Sequence, residues 1–119
     1  MSRPRPDNRR SQRLRPFVVA CTVVHGERRV RGFLTDLSLR GARISCEEVV
    51  PEDGAEVVIE VRFSRGAPLA RLPGRVRWSR RREETRASFG VVFERPSAED
   101  RRLVESAIEA FRSRAEMIS

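Results

Sequence analysis

The sequence predicts a mainly β fold, a small antiparallel barrel of about six strands with one C-terminal α-helix. Three observations carry that prediction. Short apolar runs between Phe17 and Glu94 alternate with period two and are separated by Gly, Pro and Asp-Gly turn signals. After Pro96 the apolar period changes to helical spacing. Ahead of Phe17 only Leu14 could enter a core. A length of 119 residues suits one domain with a single core.

The elements follow in order. Residues 1–16, "MSRPRPDNRRSQRLRP", hold six Arg and three Pro and read as a flexible basic segment. The barrel is expected over 17–96. It opens with "FVVACTVV", turns at His25-Gly26-Glu27, and returns as "RRVRGFLTDLS". A loop ending at Gly41 leads into "ARIS", and Pro51 with Asp53-Gly54 marks the next turn. In "AEVVIEVRF", Val57, Ile59, Val61 and Phe63 share one face, with Glu60 and Arg62 on the other. "SRGAP" is a turn. "GRVRWSR" puts Val76 and Trp78 on one face and Arg75 and Arg77 on the other, and "SFGVVFE" aligns Phe89, Val91 and Phe93. A helix is expected over 97–119, with Ser97 as N-cap and Glu99 and Asp100 in the first turn. Its apolar stripe is Leu103, Val104, Ala107, Ile108, Phe111, Ala115 and Ile118, which we expect to dock on the barrel.

Composition narrows the function classes. There is no Lys, so all 25 basic residues are Arg, and the net charge of +8 favours anionic partners. The all-Arg complement also points to GC-rich coding, which weakens charge as functional evidence. Cys21 and Cys46 lie in strand-like runs and read as small apolar residues. One His, at a turn, completes neither a metal site nor a catalytic triad. No Gly-rich loop precedes a helix to cradle phosphates. The expectation is a non-enzyme without a metal. No run nears the length of a membrane span, and no secretory signal is present, so the expected location is cytoplasmic. With most of the Phe expected in the core and no Tyr, little stacking platform is left for general nucleic-acid binding.

Two short stretches remain. "DLSLRG" places Asp36, Ser38 and Gly41 between two strands. As a plain turn, Asp36 and Ser38 would bond turn backbone and Gly41 would supply a positive φ. "RRSQR" sets Arg9 and Arg13 four residues apart, ahead of the first strand. Guanidinium groups bind phosphates bidentately, meet guanine O6 and N7, and stack on bases. A carboxylate can accept from guanine N1–H and N2–H₂.

Together, in this order and about two dozen residues apart, the stretches resemble the Arg-x-x-x-Arg and Asp-x-Ser-x-x-Gly motifs of the PilZ domain family. "GARIS" and the hairpin "GRVRWSRRREETRASFGVVFE" are similar to later family features, so the resemblance spans about residues 9–112. It implies a six-stranded barrel that receives the bacterial second messenger cyclic di-GMP without catalysis. It implies that Arg9 and Arg13 clamp phosphates and guanine, with Arg10 assisting. Asp36, Ser38 and Gly41 would hold a guanine and its phosphate. Trp78 is similar in place to a family aromatic near the ligand. Arg15 and Arg43 are further basic candidates. The expected mode of action is ordering of the N-terminal segment by the ligand, relayed to an unidentified downstream protein by a monomer or weak dimer. The competing readings are a PilZ-like adaptor that works through protein contacts alone, and a general basic nucleic-acid-binding barrel.

Overall fold

The structure is a computed structural model and describes residues 18–47, 51–83 and 86–118. The basic segment expected over 1–16, and Arg9, Arg10 and Arg13 with it, lies outside the described residues. Six strands precede one helix: β1 (Val19–His25), β2 (Arg28–Leu37), β3 (Gly41–Cys46), β4 (Glu56–Val61), β5 (Ala70–Glu83), β6 (Arg86–Phe93) and α1 (Ala98–Ile118). They form a closed antiparallel barrel in the order β1-β2-β3-β6-β5-β4, with β4 pairing back onto β1.

Alternation builds the interior. Cys21 and Val23, Val30 and Leu34, Ile44 and Cys46, Val57, Ile59 and Val61, Leu72 and Val76, and Phe89 and Val91 all point inward and are buried. Removing such side chains from water stabilises by roughly 1.5–3 kcal/mol each. The β1–β2 turn has two residues between His25 and Arg28, with Gly26 at φ 63° in its first position. A type II′ hairpin needs that geometry, and Gly adopts it without strain.

β5 begins at Ala70, earlier than the sequence suggested. Ala70 and Leu72 are fully buried and continue the alternation, but Pro73 interrupts the pattern on paper. Pro73 is tolerated because β6 ends at Phe93, opposite Gly74. The side of Pro73 that lacks a donor therefore faces no strand, while its carbonyl accepts from Glu94 N at 2.8 Å.

Glu60 takes the outer face that alternation assigns it. It points away from the core, yet it is only 8% exposed. Arg29 Nη2 at 2.6 Å and Arg71 Nη2 at 3.3 Å cover it, each reaching over from another strand.

The helix starts as its sequence dictates. Ser97 Oγ accepts from Asp100 N at 3.0 Å, and the Asp100 carboxylate accepts from Arg71 N at 3.3 Å, tying the first turn to β5. Val104 is buried in the barrel core, and Leu103, Ala107, Ile108 and Phe111 pack against it. The apolar stripe therefore docks on the barrel, at least through Phe111. No helix among the described residues is long and apolar enough to cross a membrane.

Candidate functional site

Of the predicted site residues, Asp36, Ser38, Gly41 and Trp78 meet on the outside of the barrel. Asp36 on β2 pairs with Arg43 on β3, Arg43 with Gly90 on β6, and Gly90 with Trp78 on β5. These four residues form one row across four strands. The row exists because alternation is broken at both ends. Between Leu34 and Asp36 the register of β2 shifts, leaving Thr35 as an extra residue. Between Val76 and Trp78 the register of β5 shifts, leaving Arg77 as an extra residue. A bulge reverses which face later residues occupy. Without it Asp36 would follow Leu34 into the core, and Trp78 would follow Val76. Trp78 is instead 38% exposed, which corrects the expectation that it shares a face with Val76.

Gly41 also differs from expectation. It has no positive φ; a side chain there is excluded for another reason. A Cβ at Gly41 would lie 2.1 Å from the Val91 carbonyl oxygen, so Gly41 lets β3 approach β6. Gly90 has a similar role toward a ring. A Cβ there would lie 2.3 Å from Trp78 Nε1 and 2.6 Å from Cε2, so the indole lies across Gly90. Sequence reasoning read "SFGVVFE" as a strand and missed this use of its Gly. A Gly inside a strand was the available signal of close approach.

The loop between β2 and β3 is held by Ser38. Its N–H donates to Gly41 O at 2.9 Å. Its hydroxyl accepts from Arg40 N at 3.2 Å and Gly41 N at 3.3 Å. Ser38 thus bonds turn backbone, as the plain-turn reading expected, while remaining on an exposed loop. Asp36 does not share that role. Its carboxylate faces Arg43 Nη2 at 3.9 Å, a long and exposed ion pair.

Asp36, Ser38, Arg40, Arg43, Arg77 and Trp78 line a shallow cleft of about 480 Å³. Asp36 is the one carboxylate among its described lining residues. The Arg43 and Arg80 guanidinium carbons stand 6.0 and 5.8 Å from the centre of the indole. Arg40, Arg77 and Arg80 were not named as site candidates from the sequence. The chemistry offered is an acceptor for a donor pair, an aromatic face, and cations for an anion.

A larger cleft, about 810 Å³, is lined by Val24, Glu56, Val58, Pro73, Phe93 and Glu94, among others. Its size does not make it the better site. Arg75 already holds both carboxylates, Glu56 at 2.9 Å and Glu94 at 3.0 Å, which leaves Arg95 as the one charged lining residue outside that cluster.

Comparison with known proteins agrees with this fold. Among curated proteins no sequence match is found. Among solved structures, the chain is similar to the PilZ domain of YcgR from Escherichia coli, solved with c-di-GMP. The TM-score is 0.69 at 18% identity, over 84% of this chain and 86% of that one. It is also similar to the PilZ domain of CeSA from a cellulose-synthesizing bacterium, with a TM-score of 0.57 at 22% identity, over 81% of this chain and 97% of that one. The family model for the PilZ domain matches residues 7–110. The chain belongs to the PilZ domain family.

Proposed function

We propose that the protein is a non-catalytic receptor for cyclic di-GMP, and that the ligand lies on the row from Asp36 to Trp78. One observation carries the reading: two register shifts turn a carboxylate and an indole outward onto a single row beside several Arg. The Asp36 carboxylate accepts from guanine N1–H and N2–H₂. The base stacks on Trp78. Ser38 and Gly41 keep the loop backbone close to the adjoining phosphate. Arg9 and Arg13 clamp the phosphates and the guanine edge from the N-terminal side, and Arg10 assists. Support comes from the family and from the structural neighbour solved with c-di-GMP.

The relay follows from charge. Residues 1–16 bear six Arg that repel one another and only one core-type residue, Leu14. A dianionic ligand neutralises part of that charge and gives the segment a surface to wrap. Ordering it remodels one barrel face for a downstream protein.

The test is calorimetric titration with cyclic di-GMP of the wild type and of Arg13→Ala. Micromolar or tighter binding, lost in the variant, is the expected result. Absence of binding by the wild type would overturn the reading. For the relay, amide exchange over residues 5–15 should slow when ligand is added; equal rates with and without ligand would refute it.

A further inference from the structure

Arg43 occupies the place that the proposed function assigns to a base. It stands between Asp36 and Gly90 in the row, and the Trp78 indole is laid over Gly90. Its guanidinium therefore faces the carboxylate at 3.9 Å on one side and the indole at 6.0 Å on the other. The N1–H, C2 and N2–H₂ edge of guanine is itself a guanidine fragment. It is planar, presents a pair of donors, and prefers a carboxylate and an aromatic face. Arg43 offers the same chemistry from within the chain.

The contacts are also weak enough to be exchanged. The Arg43 and Asp36 side chains are 51% and 37% exposed, and the ion pair is long. The indole distance is at the outer limit for a cation over a ring. Structural ion pairs in this barrel look different: Arg29 reaches buried Glu60 at 2.6 Å, and Arg75 holds two carboxylates at 2.9 and 3.0 Å. Arg43 holds two groups that the proposed ligand needs, sharing the indole with Arg80 at 5.8 Å, and holds neither firmly.

We infer that Arg43 is a resident stand-in for guanine, which keeps Asp36 and Trp78 occupied in the free protein and must swing out before the base can enter. The inference rests on the proposed function. It assigns Arg43 a competing role, opposite to that expected of an Arg beside a phosphate ligand. A ligand with phosphates alone would not displace it, because the exchange requires a planar donor edge.

The test uses the single Trp of the chain as its own reporter. Wild type and Arg43→Ala are titrated with cyclic di-GMP at about 0.5 M salt, where screening over roughly 4 Å suppresses the general attraction of one Arg for a dianion. Acrylamide, a neutral quencher, measures Trp78 access in the ligand-free proteins. The expected result is stronger quenching in Arg43→Ala together with binding about fivefold tighter, the combined worth of one exposed ion pair and one exposed cation–π contact. Unchanged quenching would show that Arg43 does not cover the indole and would overturn the inference. Weaker or unchanged binding in the variant, with the wild type still binding, would overturn the competition and leave the receptor reading intact. Failure of the wild type to bind would sink both.

Discussion

Replacing Gly41 with Ala separates the two roles a motif glycine can have. The added Cβ would sit 2.1 Å from the Val91 carbonyl oxygen, whereas carbon–oxygen contacts settle at roughly 3.3 Å. Backbone cannot rotate away as a side chain can. The start of β3 must therefore move by roughly 1 Å from β6, an overpacking strain of about 1–3 kcal/mol. The shift also strains the bonds from Ser38 N to Gly41 O at 2.9 Å and from Phe93 N to Arg40 O at 2.8 Å. Each contributes about 0.5–1.5 kcal/mol. The expected loss is about 2–6 kcal/mol, or a fall in Tm of roughly 8–24 °C for a domain of this size. Urea unfolding followed by far-UV circular dichroism measures it. Gly26→Ala is the control: that site has open space but φ 63°, so it should lose only about 1–2 kcal/mol. A Gly41→Ala protein within about 0.5 kcal/mol of wild type would refute the steric argument. Gly41 would then be present for the ligand.

Three further outcomes follow from the same geometry. Gly90→Ala should drive the indole off its seat, since Trp78 Nε1 lies 2.3 Å from the new Cβ; a shifted Trp emission and about tenfold weaker cyclic di-GMP binding are expected, with loss of one stacking contact setting the scale. Arg29→Ala combined with Arg71→Ala strips from Glu60 both its cations and its cover, and since those side chains are 60% and 62% exposed the change should cost about 1–2 kcal/mol in a urea melt; a loss above about 3 kcal/mol would mean that Glu60 stays buried without them. Burial, and then the neighbouring Cys46, push the Cys21 thiol up from 9.0 to about 12. The folded state keeps this proton where the unfolded chain releases it, so the stabilisation is complete below pH 9.0 and is lost as pH rises toward about 12. The slope should be at most about 1.4 kcal/mol per pH unit. A melt series over that window, compared with Cys21→Ala, measures it; identical pH dependence in the two proteins would contradict the assignment.

Much of this was legible in the sequence, and the failures are physical. Apolar runs bounded by turn signals marked all six strands, with period-two alternation in the later ones, and the change of period marked the helix with its Ser97 cap. The start of β5 was hidden because Pro73 looks like a break until β6 is seen to end beside it. Asp36, Ser38 and Gly41 could be grouped from spacing, but their separate roles could not. The reason for Gly41 is a carbonyl of Val91, fifty residues along the chain. The face of Trp78 depends on a register shift at Arg77, a property of pairing that composition does not encode. The burial of Glu60 needed Arg29, which meets it only after the barrel closes.

That closure limits how any partner can read the protein. Each of the six strands has a neighbour on both sides over part of its length, and the open main-chain rows that remain are short overhangs, chiefly the end of β5 up to Glu83, which pairs with β6 but lies beyond β4. A partner can add a strand only at such overhangs, which restricts a common and sequence-tolerant mode of peptide capture. Over the rest of the described barrel, recognition runs through side chains on the outer wall or on α1. Specificity for a partner that docks there is thereby written in a surface that substitutions can change one residue at a time, while the sheet beneath it stays as it is.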